Sequence, residues 1–279
     1  MLDKIKEKSP AKINLFLKII NKREDGFHNI RTGVTFVNLF DEIEVQPHNK
    51  FEVNYSGDFS PKNKTFEDCI IKRLFTFIKK EPPKLLFSIS KNFPYQSGLG
   101  SASSNAATVI KILENLELIE KKNIFEYVDL GSDIPLFLNE KDSLIRGKGD
   151  LIANVIFPKY YFLIIKPSFK CSTKKMYESF KQSDFDYIPE FDLEEINDQD
   201  SGNDFEKILK KNEPEFNSIL DYLESLDGSI FSRLTGSGSC IFSVFEKKEH
   251  ANSAQKKFIQ NYSNLWTHVS ENNLVNLFK

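Results

Sequence analysis

Apolar and polar residues alternate along several segments in the first third of the chain, with the period of two that predicts β-strands. These segments cover residues 11–20, 33–40, 41–45, 50–55 and 84–89. The polar pair Asp41-Glu42 stands between the second and the third, which predicts a turn there. Before the last of them, apolar residues spaced by three and four predict a helix over 66–80. We therefore expect this third of the chain to be rich in strands.

The rest of the chain mixes the two periods. A loop of small residues after Pro94 leads into a helix whose apolar residues, from Ala106 to Leu116, share one face. The pattern then predicts strands at 160–165 and within 229–245, and helices at 173–182, 204–226 and 249–261. An acidic stretch over 183–204 is interpreted first as a solvated surface loop and second as a binding segment. The predicted fold class is α+β, with two lobes, residues 1–155 and 156–279.

Composition supports a folded protein and limits its partners. The chain has 279 residues, of which 40% are hydrophobic and 13% aromatic, so it can bury a sizeable core and is not globally disordered. Thirty-eight Lys and Arg stand against 40 Asp and Glu, a net charge of -2. Because no overall basic field exists, we expect neither nucleic acid nor a membrane surface as a partner.

Cysteine usage and the N-terminal sequence indicate a cytoplasmic protein. Cys69, Cys171 and Cys240 are far apart, with no CxxC pair, which argues against a disulfide framework or a thiolate zinc site. The N-terminal residues carry charges at every second or third position, so they contain no apolar segment for export.

The strongest chemical signal is the segment PYQSGLGSASSNAA at 94–107. Glycines allow backbone N–H groups to approach an anion, and Ser103, Ser104 and Asn105 are good N-caps for the helix that follows. A helix N-terminus carries free donors and positive potential, so the segment has the ingredients of a phosphate-binding loop; the alternative is an ordinary turn before a capped helix. The chain contains neither GxxxxGKS/T nor a complete GxGxxG, which excludes a Walker-type loop and a dinucleotide fingerprint.

Three other segments carry candidate chemistry. In PAKIN at 10–14, Lys12 and Asn14 lie on one face of a predicted strand. In GSDIP at 131–135, Asp133 stands at the predicted end of an apolar helix, and LTGSGSC at 234–240 is a second turn of small residues. Taken singly, Lys12 could be a surface cation and Asp133 a helix-end residue.

Together, in order, these motifs resemble the galactokinase, homoserine kinase, mevalonate kinase and phosphomevalonate kinase (GHMP) superfamily. Within it they are most similar to the branch that acts on 4-diphosphocytidyl-2-C-methyl-D-erythritol. The family pattern PAKINLxL is matched from Pro10 to Leu17, DGYH by DGFH at 25–28, and GADxP by GSDIP. NDxE is matched by NDFE at 203–206, and SGxGxC by TGSGSC at 235–240. The resemblance implies an N-terminal ribosomal-protein-like α/β lobe and a C-terminal ferredoxin-like lobe.

The resemblance also implies roles for individual residues. Lys12 and Asp133 would be catalytic, in phosphoryl transfer from ATP to a hydroxyl of the methylerythritol group. The ATP-binding residues would be Pro94, Ser97, Gly98, Leu99, Gly100, Ser101, Ser103, Ser104 and Asn105. The substrate-binding residues would be Asn14, Phe27, His28, Thr173, Tyr177, Gly236 and Gly238, with His28 reading cytosine. Mg²⁺ would arrive with the nucleotide, since no metal ligands are legible; the partners would be small molecules, and the protein a monomer or homodimer.

The sequence departs from the family pattern at several positions. Phe27 replaces the tyrosine of DGYH, and Gln96, Ser97, Ser101 and Ala102 replace loop glycines, so the loop needs glycine-like geometry elsewhere or a small shift. Two rival functions stay open: a kinase for mevalonate or homoserine, against which His28 argues, and a non-catalytic binding module, against which Lys12 and Asp133 argue.

Overall fold

The computed structural model describes residues 3–61, 69–180 and 202–272. Its first sheet has six strands in the order β3-β4-β2-β5-β6, with β1 paired to β2. The strands are β1 (Ile5–Lys22), β2 (His28–Pro47), β3 (Glu52–Ser56), β4 (Leu85–Ser90), β5 (Ser143–Gly147) and β6 (Leu151–Asn154). The helices of this part are α1 (Ile70–Ile78), α2 (Ser101–Asn115) and α3 (Ile134–Asn139). All pairs in this sheet are antiparallel except β3 with β4.

The second sheet has four antiparallel strands in the order β10-β7-β9-β8. They are β7 (Tyr161–Lys166), β8 (Ser229–Leu234), β9 (Ile241–Phe245) and β10 (Trp266–Glu271). The helices are α4 (Thr173–Ser179), α5 (Glu206–Asn212), α6 (Pro214–Glu224) and α7 (Lys248–Asn261). Helices thus separate β7 from β8 and β9 from β10, which gives the βαββαβ order of a ferredoxin-like lobe.

The predicted turn at Asp41-Glu42 is wrong, because β2 runs without interruption through that point. Asp41 is fully buried and forms a salt bridge with Lys91, so its charge is neutralised inside the protein. The irregularity of the strand lies just before it: Pro10 pairs with Phe40 while Ala11 pairs with Val37, a β-bulge. The sequence pattern also missed β5, β6 and β10.

The helix predicted over 204–226 is two helices, α5 and α6. They meet at Glu213, since Pro214 lacks the N–H of a continuous helix and occupies the first turn of α6. The helix predicted at 173–182 ends at Ser179, because Phe180 is extended, and the helix predicted at 66–80 ends at Ile78, because Lys79 adopts a left-handed conformation. Residues 66–68 and 181–182 of these predictions lie outside the described residues. Of the acidic stretch, 183–201 lie outside the described residues.

Three apolar clusters organise the protein: one under the six-stranded sheet, one under the four-stranded sheet, and one where the lobes meet. In the last cluster, Ile13 and Leu15 of β1 pack with Phe162 of β7 and Phe242 of β9. The strand that carries Lys12 and Asn14 is thereby held between the lobes. Within the described ranges, no helix is long and apolar enough to cross a bilayer.

Candidate active site

A cleft of about 790 Å³ opens between the lobes. Its wall comes from β1, the loop before α2, the segment before α3, the β5–β6 turn, the segment around the start of α4 and the β8–β9 turn. Of the predicted site residues it includes Lys12, Asn14, Ser97, Gly98, Gly100, Ser101, Ser103, Asp133, Thr173, Tyr177, Gly236 and Gly238. Segments far apart in sequence therefore share one cavity, as expected for a bound ligand.

Lys12 and Asp133 face each other across this cleft. The Lys12 Nζ atom lies 3.7 Å from Asp133 Oδ2 and donates to Asn14 Oδ1, and the Lys12 backbone N–H donates to the Leu99 carbonyl at 3.1 Å. The side chain of Lys12 is 5% exposed and that of Asp133 40%. Burial lowers the pKa of Lys12, and the nearby Asp133 carboxylate opposes that shift. A buried cation thus stands beside an accessible carboxylate.

The surroundings of Asp133 differ from the sequence prediction. Asp133 precedes α3 as its N-cap rather than ending an apolar helix. Pro135 lies in the first turn of α3, where a missing N–H costs nothing.

The loop before α2 places its backbone close to neighbouring groups at two glycines. Gly98 and Gly100 have φ values of +82° and +76°, and a Cβ atom at Gly98 would lie 2.0 Å from the Thr235 carbonyl oxygen. Gln96 also adopts a positive φ, of 53°, and so supplies glycine-like geometry at a position where the family has glycine. The loop can therefore fold closely against the β8–β9 turn despite its substitutions.

Helix α2 begins at Ser101, with Gly100 as its N-cap, so the prediction that Ser103, Ser104 and Asn105 cap it is wrong. Ser104 is fully buried and donates to the Pro10 carbonyl at 2.7 Å. Asn105 is 2% exposed and bonds inside the first lobe. Neither lines the cleft, and neither do Pro94 and Leu99. All four residues are buried, and their contact with ATP stays a prediction.

The predicted cytosine-reading residue meets the second lobe. The His28 ring stacks on Tyr177 with centroids 5.1 Å apart, and Tyr177 packs edge-on against Phe205 at 4.8 Å. Burial, with Lys22 nearby, lowers the pKa of His28, which favours its neutral imidazole. Thr173 shares a hydrogen bond of 2.7 Å with Ser237. The structure thus stacks His28 on Tyr177, which lines the cleft together with Thr173, whereas His28 and Phe27 are not part of the cleft wall. The contacts of these residues with a substrate stay a prediction.

The β8–β9 turn packs against β1. A Cβ atom at Gly236 would lie 3.1 Å from Asn14 Oδ1 and 3.2 Å from Lys12 Nζ, so a side chain there would crowd both residues. Asn203 holds the turn from behind, since its amide donates to the carbonyls of Leu234 and Gly236, both at 2.8 Å. The NDFE motif therefore fixes the β8–β9 turn, which lines the cleft, although Asn203 itself does not line it.

Sequence reasoning missed the basic wall of the cleft. Lys148 lies on the β5–β6 turn, and its Nζ atom is 5.6 Å from the centre of the Phe27 ring, which is 59% exposed. Lys170, Lys174 and Lys175, which lie in the segment around the start of α4, also line the cleft. The available signals were a lysine between two glycines and three lysines near a predicted helix start, which are weak because similar lysines are common on surfaces.

No group of three His, Cys, Asp or Glu side chains suited to a metal ion occurs in the parts of the chain that the structure describes. Among the oxygen-bearing side chains that the described residues place on the cleft wall, Asp133 carries the one carboxylate, and Ser97, Ser101 and Ser103 of the loop and of α2 offer hydroxyls. This donor set fits an ion that arrives with most of its ligands, because Mg²⁺ is commonly held by one or two carboxylates and substrate phosphates.

Comparisons with known proteins agree with this geometry. The family described as GHMP kinases N terminal domain matches residues 69–138, and GHMP kinases C terminal matches 176–264. A protein of Francisella tularensis subsp. holarctica named 4-diphosphocytidyl-2-C-methyl-D-erythritol kinase is 34% identical over 254 residues, 89% of this chain and 90% of the relative. One of the same name from Syntrophus aciditrophicus is 33% identical over 88% of this chain and 92% of its own.

Solved structures show the same fold. A 4-(cytidine 5'-diphospho)-2C-methyl-D-erythritol kinase superposes with a TM-score of 0.80 at 24% identity, covering 96% of this chain and all of its own. A homoserine kinase from Cytophaga hutchinsonii superposes with a TM-score of 0.63 at 18% identity, covering 98% of this chain and 95% of its own. The two-lobed fold implied by the resemblance is confirmed. On these matches to both lobes and along nine-tenths of its length, the chain belongs to the GHMP kinase family and is an ATP-dependent kinase.

Proposed function

We propose that this kinase transfers the γ-phosphoryl group of ATP to the 2-hydroxyl of 4-diphosphocytidyl-2-C-methyl-D-erythritol, an isoprenoid precursor. The observation that carries the proposal is the shared cleft: the Lys12–Asp133 pair and the glycine loop line the same cavity as Tyr177, on which His28 stacks. A phosphoryl-transfer centre thus lies beside a pair of rings suited to a flat base. The relatives that are a third identical over most of this chain carry the name of that kinase.

The chemistry needs a base and a positive charge at the acceptor oxygen. Asp133, accessible from the cleft, accepts the hydroxyl proton as the oxygen–phosphorus bond forms and the bond from the γ-phosphorus to the β–γ bridging oxygen breaks, releasing ADP. Lys12, whose Nζ atom lies 3.7 Å from Asp133 Oδ2, stabilises the negative charge developing on the attacking oxygen. Backbone N–H groups at the start of α2 meet the phosphates. Mg²⁺ bound to the nucleotide would neutralise phosphate charge.

The other end of the cleft suits the cytidyl group. A neutral His28 can both donate and accept a hydrogen bond, as the amino group and ring nitrogen of cytosine require. Burial, with Asp133 nearby, raises the pKa of Tyr177, so its phenol stays protonated. The lysines of the basic wall can attract the diphosphate. This recognition places the acceptor hydroxyl towards Asp133.

We also propose that the enzyme acts in the cytoplasm. Cys69, Cys171 and Cys240 are all free thiols, two of them buried, which suits a reducing compartment.

The test is turnover with a panel of acceptors. Purified protein with Mg·ATP is given the cytidyl substrate, mevalonate or homoserine in separate reactions, and ADP is followed. We expect turnover with the cytidyl substrate alone. Turnover with mevalonate or homoserine instead would replace the substrate assignment, and turnover with none would favour a binding module.

A further inference from the structure

A buried charge pair lies directly behind the loop that precedes α2. Asp41, in the middle of β2, is fully buried, and Lys91, just after β4, is 4% exposed; the two form a salt bridge. Burying two charges is costly unless further hydrogen bonds satisfy them. The further hydrogen bonds of Asp41 and Lys91 are made with residues at the two ends of this loop.

Asp41 is bonded to both ends. On the N-terminal side, the Asn92 backbone N–H donates to Asp41 Oδ1 at 2.8 Å. On the C-terminal side, Ser101 Oγ donates to Oδ2 at 3.3 Å and Asn105 Nδ2 donates to the same oxygen at 3.1 Å. One carboxylate therefore fixes where the loop begins and where it ends.

Lys91 reinforces the same closure from the N-terminal side. Its Nζ atom donates to Asn105 Oδ1 at 2.7 Å and to Ser101 Oγ. Ser101 and Asn105 are 5% and 2% exposed. Both were assigned to ATP by resemblance, and their polar atoms here meet the Asp41–Lys91 pair. Their sequence pattern is explained by holding the loop.

We propose that Asp41 is a positioning residue for nucleotide binding: by joining Lys91 and Asn92 to Ser101 and Asn105, it sets the path of residues 94–100 and the aim of their backbone N–H groups. The proposal rests on the proposed role of this loop in holding ATP phosphates. The loop in turn contacts β1, because the Lys12 backbone N–H donates to the Leu99 carbonyl at 3.1 Å. Because displacements near 1 Å can cost about 100-fold in rate, loosening either end impairs binding and transfer.

The test compares Asp41→Asn with Asp142→Asn. Asp142 is a matched control, since it also bonds to β2, at Thr35 Oγ1 (2.8 Å) and the Phe36 N–H (3.4 Å), but does not touch the loop. We expect Asp41→Asn to weaken ATP binding by about tenfold or more, the effect of losing a charge-assisted hydrogen bond. Its KM for the acceptor should be nearly unchanged, and amide exchange in peptides covering 94–100 should accelerate. Asp142→Asn should change neither ATP affinity nor amide exchange in the peptides covering 94–100.

A second variant keeps the proposal testable if Asp41→Asn does not fold. The double variant Asp41→Asn with Lys91→Met removes both buried charges, which commonly restores stability. We expect it to fold and still bind ATP about tenfold more weakly than the unsubstituted protein. Unaltered ATP affinity and unaltered loop exchange in either variant would overturn the proposal. ATP affinity is measured by calorimetry without acceptor, so a wrong acceptor assignment would leave this result readable.

Discussion

Lys12 and Asp133 form an ion pair between unequal partners. Removal of Lys12 from water disfavours its charged form, and the carboxylate at 3.7 Å partly restores it. Asp133 keeps the exposure that a base needs in order to meet a substrate. This difference in exposure supports the proposed roles, in which the buried lysine stabilises charge and the accessible aspartate takes the proton.

The shifted pKa of Lys12 predicts the alkaline side of the pH–rate profile. If the protonated amine stabilises the transferring oxygen, kcat falls as pH rises through the pKa of Lys12, and this fall should come below pH 10.5, the value for an unburied lysine. The measurement is kcat at saturating substrates from pH 7 to about pH 10.5, with the melting temperature followed over the same range. A profile that stays flat to the end of that range, with the protein still folded, would remove the charge of Lys12 from the mechanism.

His28 predicts an effect on acceptor binding rather than on the chemical step. His28→Ala should raise KM for the cytidyl substrate about tenfold, the worth of one hydrogen bond and one ring contact, with KM for ATP unchanged. His48→Ala is the control, because His48 lies near Glu52 outside the cleft. In the unsubstituted enzyme, KM should rise as pH falls below 6.5 towards the lowered pKa of His28, where the imidazole gains a proton. An unchanged KM in His28→Ala would place cytosine elsewhere.

The elements show which features a local pattern can reveal. The strand around Lys12 and the apolar face of α2 follow from spacing, since each depends on neighbours within one segment. The uninterrupted β2 could not be read locally, because the residue that neutralises Asp41 is Lys91, fifty positions away. The start of α2 was misplaced for a related reason: Ser104 and Asn105 suit caps by composition, but their partners lie on β1 and β2.

The β5–β6 turn predicts a diphosphate contact. Lys148 lies between Gly147 and Gly149, and a Cβ atom at Gly149 would lie 3.3 Å from the Ser132 carbonyl, so the turn sits against the segment that bears Asp133. Lys148→Ala should raise KM for the cytidyl substrate several-fold. Because salt screens a charge in contact with solvent, added salt should reduce the difference in KM between this variant and the unsubstituted enzyme. Lys141→Ala, at an exposed lysine outside the cleft wall, serves as control. If Lys148→Ala and Lys141→Ala had the same KM for the cytidyl substrate, Lys148 would not contact the diphosphate.

At the scale of the whole molecule, the NDFE motif joins the lobes. Asp204 accepts from the Ile19 N–H at 2.8 Å and from Lys18 Nζ at 3.0 Å, and Glu206 accepts from the Leu234 N–H at 2.9 Å. The first lobe's β1 is thereby tied to the second lobe next to the cleft. The order and spacing of the motifs singled out the NDFE segment in the sequence. That it connects the two lobes is visible only in the structure, because its partners are distant in sequence.

The near-zero net charge likewise describes the molecule and not its site. The total of -2 shows no overall excess of positive charge, yet in the described parts of the chain the cleft wall carries five lysines, at 12, 148, 170, 174 and 175, and one aspartate, Asp133. Anionic substrates need only this local excess, together with helix N-termini and backbone N–H groups. Charge counted along a sequence could not show it, because these residues come from segments that only the fold brings together.

The most direct measurement compares transfer and nucleotide binding in Asp133→Asn, with Asp129→Asn, at an exposed residue four positions earlier, as control. Loss of the base should lower kcat with the cytidyl substrate by about 10²–10⁴-fold, while calorimetry should give an ATP affinity within about twofold of the unsubstituted enzyme. Asp129→Asn should match the unsubstituted enzyme in both. A kcat for Asp133→Asn within tenfold of the unsubstituted value, or loss of ATP binding equal to the loss of rate, would contradict Asp133 as the base of this phosphoryl transfer.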